Sequence, residues 1–550
     1  MRGDYARGDF ISSGFRKQQC AFLTFVLFAT LCTAAEAQQT GPAVTGVFPR
    51  TADGKPDFQG FWQAPRGAAE DLQAPAGRTD KRTGKGVVEG GAIPYQPWAT
   101  ARKLQNFAQR KASDPVGKCY FPGVPRIMYM PYPFQIFQTT DQVAFTFAWS
   151  SAYRLISTTG KPPLHEGVES WMGTSSGHWE GDTLVVKVTD HNDKTWFDMA
   201  GDFHSEALGV VERYTMLDAD AIDYEATIED SKVFTKPWKI HLTLVRQKNL
   251  QRIPEYECQA EKEEASGAFE REPRTWYPKP GSKPAPPEQD ATASSPLPPG
   301  GSLPEVGKPD SLRRTAEGKP NLSGYYQADN GTANQGLERH EKIQFTPATK
   351  GIVVDPPDGL LPYRAWARTE QLNRQQPERG YDDPTAHCFV AGVPRSMYVP
   401  SPMQIVQTPQ YLVLLFERMS WRVIPLDGRA HISDKIRLWQ GDSTGHWEGD
   451  TLLVDTTNLN GKTWLNEFGD VVSYAEHVVE RFIPVSDHKI IYRATVIDPI
   501  VYNRPWTIEI ELNQEAEELL EVACHEDNGD LQHLKDIRDE FRALHKKEKK

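Results

Sequence analysis

Trp171-Met-Gly-Thr-Ser-Ser-Gly-His-Trp-Glu-Gly-Asp182 returns as Trp439-Gln-Gly-Asp-Ser-Thr-Gly-His-Trp-Glu-Gly-Asp450, with nine of twelve positions identical. Self-similarity over such a distance marks a duplicated structural unit. Working outward, Gly123-Val-Pro-Arg126 pairs with Gly392-Val-Pro-Arg395, and Thr51-Ala-Asp-Gly-Lys-Pro56 pairs with Thr315-Ala-Glu-Gly-Lys-Pro320. The offset stays between 264 and 269 residues, so the copies differ by a few short insertions.

Within the copies the pattern is short strands and tight turns. Gly177-His-Trp179 folds onto Thr183-Leu-Val-Val186 across Glu180-Gly-Asp182, where Gly181 supplies the positive φ of a hairpin turn. Gln135 to Gln138 and Gln142 to Phe147 form a second hairpin, matched by 404–407 and 411–415. Further strands are expected over 210–214, 222–228 and 238–244. Consecutive strands without alternating helices make the chain mainly β, a tandem pair of antiparallel β-barrels or β-sandwiches.

The ends and the cysteines set the organisation. A basic start with Arg2, Arg7, Arg16 and Lys17 leads into an apolar stretch from Cys20 to Ala35 and a small-x-small cleavage site at Ala35-Glu36-Ala37. Residues 1–37 therefore read as a signal peptide, and the mature chain as exported, periplasmic or extracellular, with no membrane span. Four cysteines remain: Cys119, Cys258, Cys388 and Cys524. In an oxidising compartment these are disulfides, and the repeat selects Cys119 with Cys258 and Cys388 with Cys524. Repeat 1 spans 48–271 and repeat 2 spans 311–529. The Pro-rich 272–310 is a semi-rigid linker, and 530–550 is a charged helix or tail.

The full chain carries a net charge of −12, and the leader takes away four basic and three acidic residues, leaving −13. A nucleic-acid partner is excluded, because binding phosphates needs a basic face.

These residues resemble a family of exported bacterial proteins with a Trp-Glu-Gly-Asp-Thr-Leu-Val-Val core, a Gly-Val-Pro-Arg segment, a Lys-Thr-Trp segment and a Glu-Arg-Phe strand. The resemblance covers both repeats and implies architecture rather than chemistry, with a lipocalin-like barrel as its fold analogy. The family pattern after Lys-Thr-Trp is met in repeat 1 by Asp198, Gly201 and His204-Ser205-Glu206. Repeat 2 has Asn466, Val472 and Tyr474 at the matching positions. If that pattern carries chemistry, repeat 1 is the active copy.

His204 and Glu206 are accordingly the catalytic candidates, with Asp198 beside them, because an imidazole titrates near neutral pH and a carboxylate can orient it. Arg126, Arg154, His165, Trp171 and Trp196 are the substrate-binding candidates. Arg126, Arg154, Glu212 and Arg213 could clamp an anionic ligand or equally form an internal ion pair. His178 and Glu180 share a strand face but lack a third ligand at metal spacing, so no metal and no cofactor is expected. Nucleophile elbow, phosphate loop, zinc-protease and dinucleotide motifs are all absent from the sequence.

Three functions fit this pattern. The first is an exported barrel protein binding a small, partly apolar molecule. The second is a cofactor-independent acid-base enzyme, a hydrolase, lyase or hydratase, with its site in repeat 1. The third is a structural or surface-interaction protein.

Overall fold

The computed structural model describes residues 47–548 except 65–66, 74–85, 162–166, 259–261, 263–305, 307–310, 330–332, 343–347, 419, 516–517 and 527. The leader, almost all of the linker and His165 lie outside the described residues.

Repeat 1 is a closed barrel of nine strands in chain order: β1 Gly60–Gln63, β2 Phe134–Gln138, β3 Gln142–Phe147, β4 Tyr153–Ser157, β5 Thr174–Glu180, β6 Thr183–Thr189, β7 Gly209–Asp218, β8 Ala221–Glu229 and β9 Trp238–Arg246. The ring closes where β1 pairs with β9 at Trp62 and Arg246. Every pairing is antiparallel but one: β4 and β5 meet in a single parallel bridge, Ser157 to Ser176. This seam is the weak line of the barrel.

Repeat 2 repeats the order with β10 Gly324–Asp329, β12 Met403–Gln407, β13 Tyr411–Phe416, β14 Ser420–Pro425, β15 Asp442–Glu448, β16 Thr451–Thr457, β17 His477–Ser486, β18 Lys489–Ile497 and β19 Trp506–Glu515. The short strand β11 Val353–Asp355 adds to β19. Here β14 and β15 share no ladder, so the second barrel is nearly closed. The fold is thus a tandem of antiparallel barrels.

Local sequence explains the strands. In β7, Val210, Glu212, Tyr214 and Met216 are buried while the residues between them face outward, the period-2 pattern of a half-buried strand. The β5–β6 hairpin turns on Gly181 at φ 61° and its repeat-2 counterpart on Gly449 at φ 61°, a left-handed conformation that glycine adopts without a Cβ penalty.

Outside the barrels, α1 Pro97–Ser113 and α2 Ala365–Arg374 occupy matching places. At the C-terminal end, α3 Gly529–Glu548 docks on repeat 2, with Leu534 beside Gly380 and the Arg538 guanidinium 3.8 Å from the Tyr381 ring centroid. Cys119–Cys258 and Cys388–Cys524 are bonded, the pairing the repeat selects.

The barrels pack sheet on sheet. The apolar core of repeat 1 continues through Val406, Val413, Leu415 and Trp421 of repeat 2. Trp421 Nε1 donates to the Phe147 carbonyl at 3.1 Å, and Phe137 meets Tyr411 edge-on at 5.4 Å. Burial of this apolar area is what holds the two copies together.

Candidate binding cleft and the predicted site residues

Alternation along β7 turns Glu212 into the barrel, where an unpaired charge would be untenable. Arg154 from β4 pairs with it: its Nη1 donates to Glu212 Oε1 at 3.1 Å and its Nη2 contacts Oε2. Tyr214 and Tyr224 hydroxyls donate to Glu212 Oε1 at 2.9 and 2.8 Å, and Arg154 Nε reaches Ser175 Oγ at 2.9 Å. Repeat 2 builds the same knot from Arg422, Glu480, Tyr492 and Ser443. A buried ion pair therefore sits inside each barrel, bonded by two tyrosines in repeat 1 and by Tyr492 in repeat 2.

Open space lies instead over the β4–β5 seam, in a cleft of about 570 Å³. It is lined from β4 by Tyr153, Arg154 and Leu155 and from the other side of the seam by Met172, Thr174 and Ser175. Repeat 2 completes it with Tyr325, Gln404 and the tail segment 518–522. That tail is held by Glu521, whose carboxylate accepts from the Trp171 and Met172 amides at 2.7 and 2.9 Å. Burial pushes the Glu521 carboxyl up to about 7 against the pull of those two amides.

The exchange is mutual. Glu255, from the tail of repeat 1, accepts from the Trp439 and Gln440 amides of repeat 2 at 2.6 and 3.0 Å, and burial raises it to about 7 as well. Next to it Arg252 pairs with Asp442, and Arg429 Nη1 donates to the Gln251 carbonyl at 3.1 Å. The place in repeat 2 that corresponds to the cleft is thus occupied by arginine side chains of the chain itself.

The predicted acid-base residues do not converge. His204 is buried, with Nε2 2.6 Å from Thr195 Oγ1 and Nδ1 2.9 Å from the Ser205 carbonyl. Burial lowers its basicity. Glu206, two residues on, points to the surface and pairs with Lys232. Between them Ser205 is pinned by its amide to Asp230 at 2.7 Å, which turns the two side chains apart.

Asp198 is fully buried and accepts from the amides of Leu72, Ala200 and Asp202. Burial, with Asp202 beside it, holds its carboxyl well above the usual range. Asp71, Asp198 and Asp202 bring oxygens within 4.8 Å of one another, which is where a cation would sit in repeat 1; Lys103 Nζ supplies positive charge there, 2.8 Å from Asp202.

Of the substrate-binding candidates, Arg154 lines the cleft. Trp171 borders the cleft through its amide bond to Glu521, its ring buried against Tyr120. Arg126 is committed to a buried two-pronged pair with Asp114 at 2.8 and 2.9 Å, as is Arg395 with Asp383 in repeat 2. Trp196 is half-buried and bridges to Phe203, outside the cleft lining. His178 and Glu180 meet at 3.2 Å on the exposed outer face of β5, where Arg213 also joins Glu180.

Sequence reasoning missed the tail carboxylates Glu255 and Glu521. The only available signal was their equal distance, three residues, from Cys258 and Cys524. Comparison with known proteins finds no matching family model, curated protein or solved structure.

Proposed function

We propose that this is an exported binding protein that holds a small, partly apolar molecule in the cleft over the β4–β5 seam. The observation that carries this reading is the cleft itself: about 570 Å³ of space, within the range of small-molecule sites, lined by apolar groups such as Leu155 and Met172 and by polar ones such as Ser175 and Gln404. Export is supported by the leader pattern of residues 1–37 and by the two disulfides. Binding is favoured over acid-base catalysis because His204 and Glu206 are turned to different partners.

The test uses dansylamide, an uncharged fluorophore of suitable size. Its emission should rise and shift to the blue with the wild-type protein. Thr174→Trp, which fills the cleft from β5, should abolish the change while leaving the melting temperature near wild type. Undiminished binding to that variant would place the probe elsewhere and remove the cleft from the reading.

A further inference from the structure

The two tails carry opposite charges at one position, and this points to the kind of molecule the cleft takes. Tail residues match at an offset of 266, as Glu255 with Glu521 and Cys258 with Cys524, so Arg252 matches Glu518. In repeat 2 the Arg252 guanidinium enters the seam and pairs with Asp442, which also accepts from His431 Nδ1 at 2.9 Å. In repeat 1 the tail contributes Glu518 instead, and Thr174 stands where repeat 2 has Asp442.

The remaining charges of the open cleft lean the same way. Among the described lining residues the bases are Arg154, paired with Glu212, and Lys161, and the acids are Asp141, Glu169, Glu518 and Glu521, the last bonded to two backbone amides. Asp141 and Glu518 flank Tyr325 closely enough that both add to the rise that burial gives its hydroxyl pKa. Beside this corner is Gln404, 2 % exposed, whose Nε2 is used on Gln142 at 2.9 Å and whose Oε1 has no hydrogen-bond partner among the described residues. A buried acceptor without a donor is a standing penalty that an N–H group would relieve.

We propose that the cleft selects molecules bearing an ammonium or guanidinium group on an apolar body. The cation sits at the corner formed by Asp141, Glu518 and Gln404, and the apolar body runs along Leu155, Met172 and Leu519. This rests on the binding reading above, deepening it to a ligand class.

Three probes sharing one fluorophore separate the two claims: dansylcadaverine, a primary ammonium; dansylamide, uncharged; and dansylglycine, a carboxylate. At low salt dansylcadaverine should bind roughly fivefold or more tightly than dansylglycine, the size expected of two partly screened charge contacts. The preference should shrink at high salt, and in Asp141→Asn/Glu518→Gln the dansylcadaverine affinity should fall to that of dansylglycine while the melting temperature stays near wild type. Equal affinity for the three probes, or an unchanged preference in the variant, would overturn the charge selection and leave the binding reading standing. Failure of all three to bind overturns both.

Discussion

Glu255 and Glu521 make the same contact in opposite directions: each leaves the tail of its own repeat and caps two consecutive backbone amides of the other, Trp439 and Gln440 in one case, Trp171 and Met172 in the other. The arrangement is a pseudo-twofold clasp, each arm anchored three residues later by a disulfide to its own barrel. The duplication thus produced two copies that complete each other.

Stability should depend on pH through this clasp. Both carboxyls are raised from 4.5 to about 7 in the folded protein, so between those values the folded state holds more protons than the unfolded one. Stability then falls as pH rises across that window, and below about 4.5 the two groups contribute no further change. Melting temperature measured from pH 4.5 to 8 should decline, and Glu255→Gln/Glu521→Gln should flatten the decline. An equal slope in the variant would assign the pH dependence to other buried acids such as Asp470 and Asp498, each raised to about 6.

The barrel knots make a second expectation. Glu212→Gln leaves the Arg154 guanidinium buried without its counter-charge, and such a loss is worth about 3–5 kcal/mol. Adding Arg154→Met removes the stranded charge, so the double variant should be more stable than Glu212→Gln alone. Urea denaturation of Glu212→Gln, Arg154→Met and the double variant reads this directly; additive losses would mean that the pair is not coupled.

Much of this was open to reading in the sequence. The β5–β6 hairpin was legible because Gly181 and Gly449 mark the turn twice, and the disulfides because each cysteine pair brackets one repeat. The filled barrel was half legible: a glutamate between Val210 and Tyr214 on the buried face of β7 demands a partner, but nothing local says that it comes from β4. His204 and Glu206 do not meet, because residues two apart share a face only on an extended strand, and here Ser205 is tied into a turn by Asp230. The clasp was not legible, since its segments have no periodicity and its partners lie more than 180 residues away.

Comparison of the repeats yields a third expectation. In repeat 2 Asn466 Nδ2 donates to Asp470 Oδ2 at 2.7 Å, and Tyr363 donates to Oδ1 at 2.8 Å. Repeat 1 keeps the tyrosine, Tyr95 on Asp202 at 2.7 Å, but replaces the amide with Asp198, and Asp202 Oδ2 lacks a hydrogen-bond donor among the described residues. Asn466→Asp should recreate this carboxyl pair in repeat 2, where Gln371 stands in place of Lys103. The loss at neutral pH should be about 1–3 kcal/mol, the penalty of a buried acceptor deprived of its donor. Because one member of such a pair takes up a proton more readily, the deficit should narrow as pH falls. Differential scanning calorimetry at pH 5 and pH 8 checks both parts, and a deficit that does not change with pH would show that no proton is shared.

The disulfides carry the last expectation, because they tie the clasp arms as well as closing the chains. Cys258 lies beside Glu257, which Ser151 contacts from the barrel of repeat 1, and three residues after Glu255 on repeat 2. Each bond closes a loop of more than 130 residues, 139 in repeat 1 and 136 in repeat 2, so cutting one should remove about 2–4 kcal/mol of stability. Mass mapping of the unreduced protein should first find Cys119 joined to Cys258 and Cys388 joined to Cys524, with no crosslink between repeats. In Cys388→Ser/Cys524→Ser the freed arm is the one carrying Glu521 and the cleft-lining 518–522, so this variant should lose dansylamide binding along with stability. Cys119→Ser/Cys258→Ser frees the other arm, which lines the seam of repeat 2, and should keep more of the binding at a comparable loss of stability. Equal loss of binding in the two variants would mean that the arm acts only through overall stability, and the link between the second disulfide and the cleft would fall.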